Sequence, residues 1–224
     1  MSQLIRDDQL ALRFPTRGGS RRGAGRPEGP RPRIRHRSRP AISATHPALV
    51  TLKVRPGLPS LRRRNLVRRF ERSLLGVRDK PAFRVVQYSV QSNHVHLVIE
   101  ADGPAELGRG MKALGTRFAR LVNAAFGMTG AVLQDRYHLR VLRTPREVRN
   151  ALAYVLCNVR KHRAQRGLAT PPSIDPASSG RWFAGWADDA PRSHDPPVVA
   201  RAKGWLLRVG WLRWGRIALI ESPA

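Results

Sequence analysis

The chain has 224 residues, of which 41% are hydrophobic, enough for one folded domain with additional segments. It carries 42 Lys and Arg against 15 Asp and Glu, a formal net charge of +27, and the excess of Arg favours nucleic acid over an anionic membrane surface as the partner. Cys157 is the single cysteine, which excludes an internal disulfide, and no apolar run could span a bilayer or act as a signal peptide, so the sequence predicts a cytoplasmic protein.

Residues 1–45 are predicted to form a flexible basic arm. Arg, Gly and Pro dominate from Arg17 to Pro40, with Glu28 as the acid, and this composition buries too little apolar surface to fold by itself. The arm could hold nucleic-acid phosphates or could serve only as a solubilising tail. The folded domain is therefore expected to cover residues 46–165.

Apolar periodicity predicts seven elements in this domain, in the order strand, helix, two strands, helix, strand, helix. The strands are expected at 48–54, 83–90, 93–100 and 132–142, and the helices at 61–75, 105–126 and 145–163. Thr144, Pro145 and Glu147 provide the cap, the first-position proline and the first-turn acid of the last helix. This order predicts an α+β fold, ferredoxin-like or RRM-like, with an antiparallel sheet and helices on one face.

The chain beyond this domain is predicted to form a linker at 166–197 and a Trp-rich helical extension at 198–224. Pro, Ser, Asp and Gly dominate the linker, which is interrupted by Trp182 and Trp186. Trp205, Trp211 and Trp214 of the extension could stack on bases, or could dock on the core or on a partner.

Two histidines, His94 and His96, occupy alternate positions of the third predicted strand. A strand has a side-chain period of two, so both point to the same face, about 7 Å apart along it. Two imidazoles in this arrangement could share one divalent ion, or could be hydrogen-bonded histidines that bind no metal. Glu100 is also at an even-numbered position and so points to the same face as the histidines, but it lies at the strand end.

Tyr154 lies away from the apolar stripe of the last helix. That stripe consists of Val148, Leu152, Val155, Leu156 and Val159. The face of Tyr154 also carries Glu147, Asn158 and Lys161, so a metal, a hydroxyl and a cation converge if this face meets the histidine strand. A phenol with an ordinary pKa near 10 attacks a phosphodiester at neutral pH only when the phosphodiester is polarised. Otherwise Tyr154 is an ordinary exposed tyrosine.

His94-Val95-His96 resembles the His-hydrophobic-His motif of HUH nucleases. Tyr154, on a helix about 60 residues later, is similar to the tyrosine motif of single-tyrosine transposases, particularly the REP-associated ones related to small insertion sequences. The segment 134–138 resembles a further segment of that family. One departure is Val159, which follows Asn158 where the family often has proline.

This resemblance implies a role for each matching residue. His94, His96 and Asn158 would bind Mg²⁺ or Mn²⁺, and Tyr154 would attack single-stranded DNA to give a 5′-phosphotyrosine and a free 3′-OH. The resemblance implies a DNA transposase that cuts and rejoins hairpin-forming single strands, as a monomer or homodimer. Tyr137 is the reserve nucleophile.

Two other functions remain open at this point. The chain could be a non-catalytic, domesticated nucleic-acid-binding protein, for which the same sheet and charge would serve. It could also be a replication or mobilisation nickase with the same HUH chemistry, although it has no helicase-sized extension.

Overall fold

The computed structural model describes residues 40–222, apart from residues 166, 170, 171 and 192. The predicted arm therefore lies outside the described residues up to position 39. The strands are β1 (Ala48–Lys53), β2 (Phe83–Val90), β3 (His94–Ala101) and β4 (His138–Val141). The helices are α1 (Arg64–Arg78), α2 (Pro104–Phe126), α3 (Pro145–Ala164) and α4 (Trp205–Arg208), with short 3₁₀ turns at Ser179–Trp182 and Gly210–Trp214. No helix in this described part combines the length and hydropathy needed to cross a bilayer.

The strands form one antiparallel sheet in the order β2-β3-β1-β4. β2 and β3 form the predicted hairpin, and β1 lies between β3 and β4, so Thr51 is opposite His96 on one side and His138 on the other. The order β-α-β-β-α-β from β1 to β4 is that of a ferredoxin-like unit. The α+β class with an antiparallel sheet is thus confirmed.

The helices cover both faces of the sheet. Val95, Leu97 and Ile99 of β3 belong to the core formed with α1 and α2, whereas Val98 belongs to a second core formed with α3. The expectation of helices on one face therefore holds for α1 and α2 only, and α3 lies on the face that carries the histidines. β3 is apolar at Val98 as well as at its odd-numbered positions, and a strand that is apolar on both sides is covered on both sides.

The bounds of α1 and β4 differ most from the predictions. α1 begins at Arg64 rather than at residue 61, because the backbone N–H of Leu61 donates to the Ser92 carbonyl oxygen and Leu61 is buried before the helix starts. β4 is restricted to four residues, and of the earlier part of the predicted strand only Leu133 forms an isolated bridge, with Val54. The start of α3 is as predicted, since Thr144 and Glu147 form a reciprocal capping box.

The region predicted to be a linker is folded onto the sheet in its described part. Asp175 is buried and accepts two hydrogen bonds from Arg62, and the Ser179 hydroxyl accepts one from the Tyr88 backbone N–H. Phe183 and Trp186 contribute to the core around α3. Pro and Ser content alone predicts a loop, and this segment is a loop with few regular elements, but its polar groups are satisfied by the domain that it covers.

The C-terminal region is less helical than predicted. The expected helix from residue 198 to about 220 is replaced by α4 and a five-residue 3₁₀ turn. The turn begins at Gly210, and Gly215, with φ at +81°, turns the chain away after Trp214. Trp211 is buried beside α3, as the docking alternative required, whereas Trp205 and Trp214 are about half exposed.

Helix α2 approaches β2 so closely that it needs a glycine at the contact. A Cβ at Gly110 would overlap the ring of Phe83, whereas a Cβ at Gly108 of the same helix would meet nothing within 4 Å. We expect Gly110→Ala to lower the free energy of unfolding by about 1–3 kcal/mol because it overpacks the core. Gly108→Ala should raise it by up to about 1 kcal/mol through helix propensity. Urea denaturation of both variants measures the free energy of unfolding. Equal changes in the two variants would contradict the close approach of α2 to β2.

Candidate active site

The two histidines of β3 meet at one point. The Nε2 atoms of His94 and His96 are 2.9 Å apart, and the ring centroids are separated by 4.5 Å. His96 is buried and His94 is partly exposed. The alternation of the strand therefore directs both imidazoles to one face, as the sequence predicted, and α3 covers that face.

A separate hydrogen bond orients each of these imidazoles. His94 Nδ1 is 2.8 Å from Asn93 Oδ1, and His96 Nδ1 is 3.0 Å from the Thr51 hydroxyl, which belongs to the neighbouring strand β1. Since Asn93 Oδ1 can only accept, His94 Nδ1 is the donor in this hydrogen bond, and Nε2 is the ring atom that faces His96. Neither Asn93 nor Thr51 was identified from the sequence. Asn93 is next to the motif, but the register that brings Thr51 to His96 is a long-range pairing.

Tyr154 reaches this pair from α3. Its hydroxyl is 3.3 Å from His96 Nε2, and the two ring centroids are 4.9 Å apart. Lys161 Nζ lies 6.0 Å from the centroid of the tyrosine ring, so the predicted cation shares its face. Burial raises the pKa of the Tyr154 phenol, which keeps it protonated unless a positive charge is placed beside it.

Asn158 is one helical turn beyond Tyr154 and is buried. Its amide oxygen and nitrogen have no hydrogen-bond partner among the described residues, and it forms no hydrogen bond with either histidine. A buried amide without partners costs about 1–3 kcal/mol. Such a group is suited to a ligand that supplies the missing contacts.

These donors are compatible with a divalent ion. The described residues contain no cluster of three or more His, Cys, Asp or Glu that could hold a metal, so an ion here would depend on two imidazoles and an amide oxygen. Neighbouring positions around an octahedral ion with bonds of about 2.1 Å lie about 3 Å apart. The 2.9 Å between the two Nε2 atoms agrees with that spacing. Each ring also has the second hydrogen bond that metal-binding histidines usually make.

A groove of about 650 Å³ opens beside His96 and Tyr154. Its walls include Thr51, His138, Asn150 and Glu147, so strands β1, β3 and β4 form its floor and α3 forms one side. A larger cavity of about 840 Å³, lined by Val86, Gln87 and residues between 181 and 216, contains none of the candidate catalytic or metal-binding residues. The groove is the cavity that matters for chemistry, because it is where the phenol and the imidazole are accessible together.

Other side chains that could act as nucleophiles, including the reserve nucleophile Tyr137, lie in less suitable positions. Tyr88 is buried on the opposite face of the sheet, where its hydroxyl bonds Glu71, and burial raises its pKa. Cys157 is buried, and burial raises the pKa of its thiol to about 12. Tyr137, the reserve nucleophile, packs against the core on the α1–α2 side.

Glu100 has the parity of the histidines but serves a different purpose. Its buried carboxylate accepts hydrogen bonds from Arg84 Nε at 3.0 Å and from the backbone N–H groups of Lys203 and Gly204, each at 2.8 Å. The carboxylate therefore fastens the C-terminal segment to the end of β3, and its oxygens are already in use.

Comparison with known proteins supports the fold. No family model matches the chain, and no curated protein matches it. The chain is similar to the solved structure of a REP-associated tyrosine transposase bound to a REP hairpin, with a TM-score of 0.52 and 16% sequence identity. The match covers 76% of this chain and 100% of the other. The α+β architecture is therefore one that a tyrosine transposase also adopts.

We expect Glu100→Gln to lower the free energy of unfolding by about 3 kcal/mol, because it removes the nearer and more buried of the two carboxylates that pair with the buried guanidinium of Arg84, the other being Asp102. Glu106→Gln is the matched control, since it breaks an exposed pair with Arg109 that is worth about 0–1 kcal/mol. Denaturant titration of the two variants provides the comparison. If Glu100→Gln cost no more than Glu106→Gln, the carboxylate would not hold the C-terminal segment.

Proposed function

We propose that the protein is a metal-dependent tyrosine transposase that cleaves and rejoins single-stranded DNA through a 5′-phosphotyrosine intermediate. The observation that carries the proposal is the contact of 3.3 Å between the Tyr154 hydroxyl and His96 Nε2, which itself lies 2.9 Å from His94 Nε2. A phenol and two imidazole nitrogens from distant parts of the chain thus lie within 3.3 Å of their neighbours, which supports a common role for them.

His94 and His96 would hold Mg²⁺ or Mn²⁺ through Nε2, and Asn158 would add its amide oxygen. The bound ion would withdraw electrons from the scissile phosphate and stabilise the negative charge that develops there. Tyr154 gives its proton to water, its oxygen forms a bond to phosphorus, and the bond from phosphorus to the 3′ oxygen breaks. The departing oxygen takes up a proton from water to become a free 3′-OH, and the bond energy is kept in the phosphotyrosine ester for rejoining.

The charge of the chain supports a DNA substrate. The net charge of +27 provides many phosphate contacts, and exposed arginines follow one another along α1 at Arg64, Arg68 and Arg72. The structural neighbour binds a REP hairpin. We therefore propose single-stranded DNA with a hairpin as the substrate. A non-catalytic DNA-binding protein would share the charge but would have no use for a phenol directed at a histidine pair.

The nucleophile is tested with a hairpin oligonucleotide labelled at its 3′ end, incubated with the full-length protein and Mn²⁺. A 5′-phosphotyrosine carries the label, so we expect a labelled protein band in a denaturing gel, and none with a 5′ label. Tyr154→Phe should abolish the band while DNA binding persists.

The control is Tyr137→Phe, which removes the hydroxyl of the reserve nucleophile and should leave the band unchanged. A band that survives in Tyr154→Phe would remove this residue from the chemistry. Binding by the wild-type protein without any adduct, at every metal tested, would favour the non-catalytic function.

The orientation of His96 is tested by Thr51→Val, which keeps the shape of the side chain but removes the hydroxyl. Loss of such an outer hydrogen bond typically weakens metal binding by about 10–100-fold. Thr45→Val is the matched control, because the Thr45 hydroxyl also bonds a histidine, His46, at 3.2 Å, but on the exposed surface. Calorimetric titration with Mn²⁺ measures both, and similar affinities in the two variants would argue against His96 as a ligand.

A further inference from the structure

The groove beside Tyr154 follows α3 toward the N-terminal end of that helix. Asn150 and Glu147, which line it, are four and seven residues before Tyr154 and so lie on the same side of the helix. Arg146, the neighbour of Glu147, is eight residues from Tyr154, or about 12 Å along the axis. A strand that follows the groove from Tyr154 past Asn150 and Glu147 therefore runs toward the first turn of α3, which contains Arg146.

Trp214 lies at that end of the helix and is 53% exposed. The guanidinium carbon of Arg146 is 5.1 Å from the centroid of its indole ring. The segment that carries Trp214 is held to α3 by Arg149, which donates to the Arg216 carbonyl oxygen and pairs with Glu221. Glu221 itself lines the groove, so the segment that carries Trp214 is anchored to α3 and reaches the groove at Glu221.

Packing in the core does not explain why residue 214 is a tryptophan. Trp211, three residues earlier, is 4% exposed and its indole N–H donates to the Leu207 carbonyl oxygen, whereas Trp214 has half of its surface in solvent. The surroundings are also strongly cationic. Between residues 198 and 222 the acid is Glu221, already paired with Arg149, and the cations are Arg201, Lys203, Arg208, Arg213 and Arg216. This charge favours a polyanion over a second copy of the same basic chain.

We propose that Trp214 and Arg146 form a base-stacking site for an unpaired nucleotide of the DNA strand that occupies the groove. An indole provides a sequence-tolerant surface for a base, and the adjacent guanidinium can contact the phosphate of the same nucleotide. Successive nucleotides rise about 3.4 Å in a stacked strand, so 12 Å places the stacked base within about four nucleotides of the cut. The inference rests on the proposed function for the position of the strand.

The test measures binding rather than cleavage, in the full-length chain with Tyr154→Phe as the parent. The probe is a hairpin oligonucleotide with a single-stranded tail, whose stem fixes the register, and a series in which one tail position at a time is abasic. We expect Trp214→Ala to weaken binding of the intact probe by about 5–100-fold. At one tail position the abasic probe should bind the parent and Trp214→Ala equally, because the stacking partner is already missing. We call this loss of the affinity difference at one position coupling.

Trp205→Ala is the matched control. Trp205 is 51% exposed and has Arg213 at 5.1 Å from its ring, but that arginine is not part of α3. We expect less than about a twofold loss for this variant and no position-specific coupling. Arg146→Ala should show coupling at the same tail position as Trp214→Ala.

The inference is overturned if Trp214→Ala binds the intact probe like its parent, or if its loss is the same at every abasic position. It is also overturned if Trp205→Ala reproduces the coupling, or if Trp214→Ala alters the sedimentation of the free protein while leaving its DNA affinity unchanged. Because no step requires cleavage, coupling without any adduct in the Tyr154 experiment would refute the transposase chemistry and leave the stacking site standing. An adduct without coupling would support the transposase chemistry and refute the stacking site.

Discussion

The candidate site depends on a strand that is buried on both sides. The odd-numbered positions of β3 fill the core under α1 and α2, and its even-numbered positions carry His94, His96 and Glu100 on the other face. Because side chains alternate strictly along a strand, a one-residue shift in register would exchange the two sets and place imidazoles in a hydrocarbon core. The apolar requirement of one face thus fixes the direction of the polar groups on the other.

The polar face of β3 is divided between two tasks. At one end the histidines face the phenol of α3, and at the other Glu100 holds the backbone of residues 203 and 204. The same strand therefore positions the groups that would meet DNA and fastens the segment that bears Trp214. The two regions also contact each other directly, since Arg149 of α3 pairs with Glu221.

Much of this arrangement could be predicted from local patterns. The bounds of β2, the shared direction of the histidines and the capping box of α3 follow from alternation and from residue preferences that act within a few positions. Three features could not be predicted in this way. The hydrogen-bond partner of His96 depends on the pairing of β1 with β3. The face covered by α3 depends on which apolar side chains of the sheet remain exposed after α1 and α2 have packed. The burial of the 172–191 region depends on polar partners such as Arg62, which is more than 100 residues away from Asp175.

The contacts of residues 205–217 with α3 also affect how the chain folds during synthesis. The outer side of α3 is covered by α4 and the following 3₁₀ turn, and Trp211 and Ile217 complete the core around Leu152. A chain emerging from the ribosome that has reached only α3 would hold its histidines and tyrosine but would leave much of that apolar helix in water. Contacts of such high sequence separation form late in folding. The nascent chain would thus acquire a stably seated α3, and with it the geometry around Tyr154, only after residues 205–217 have emerged.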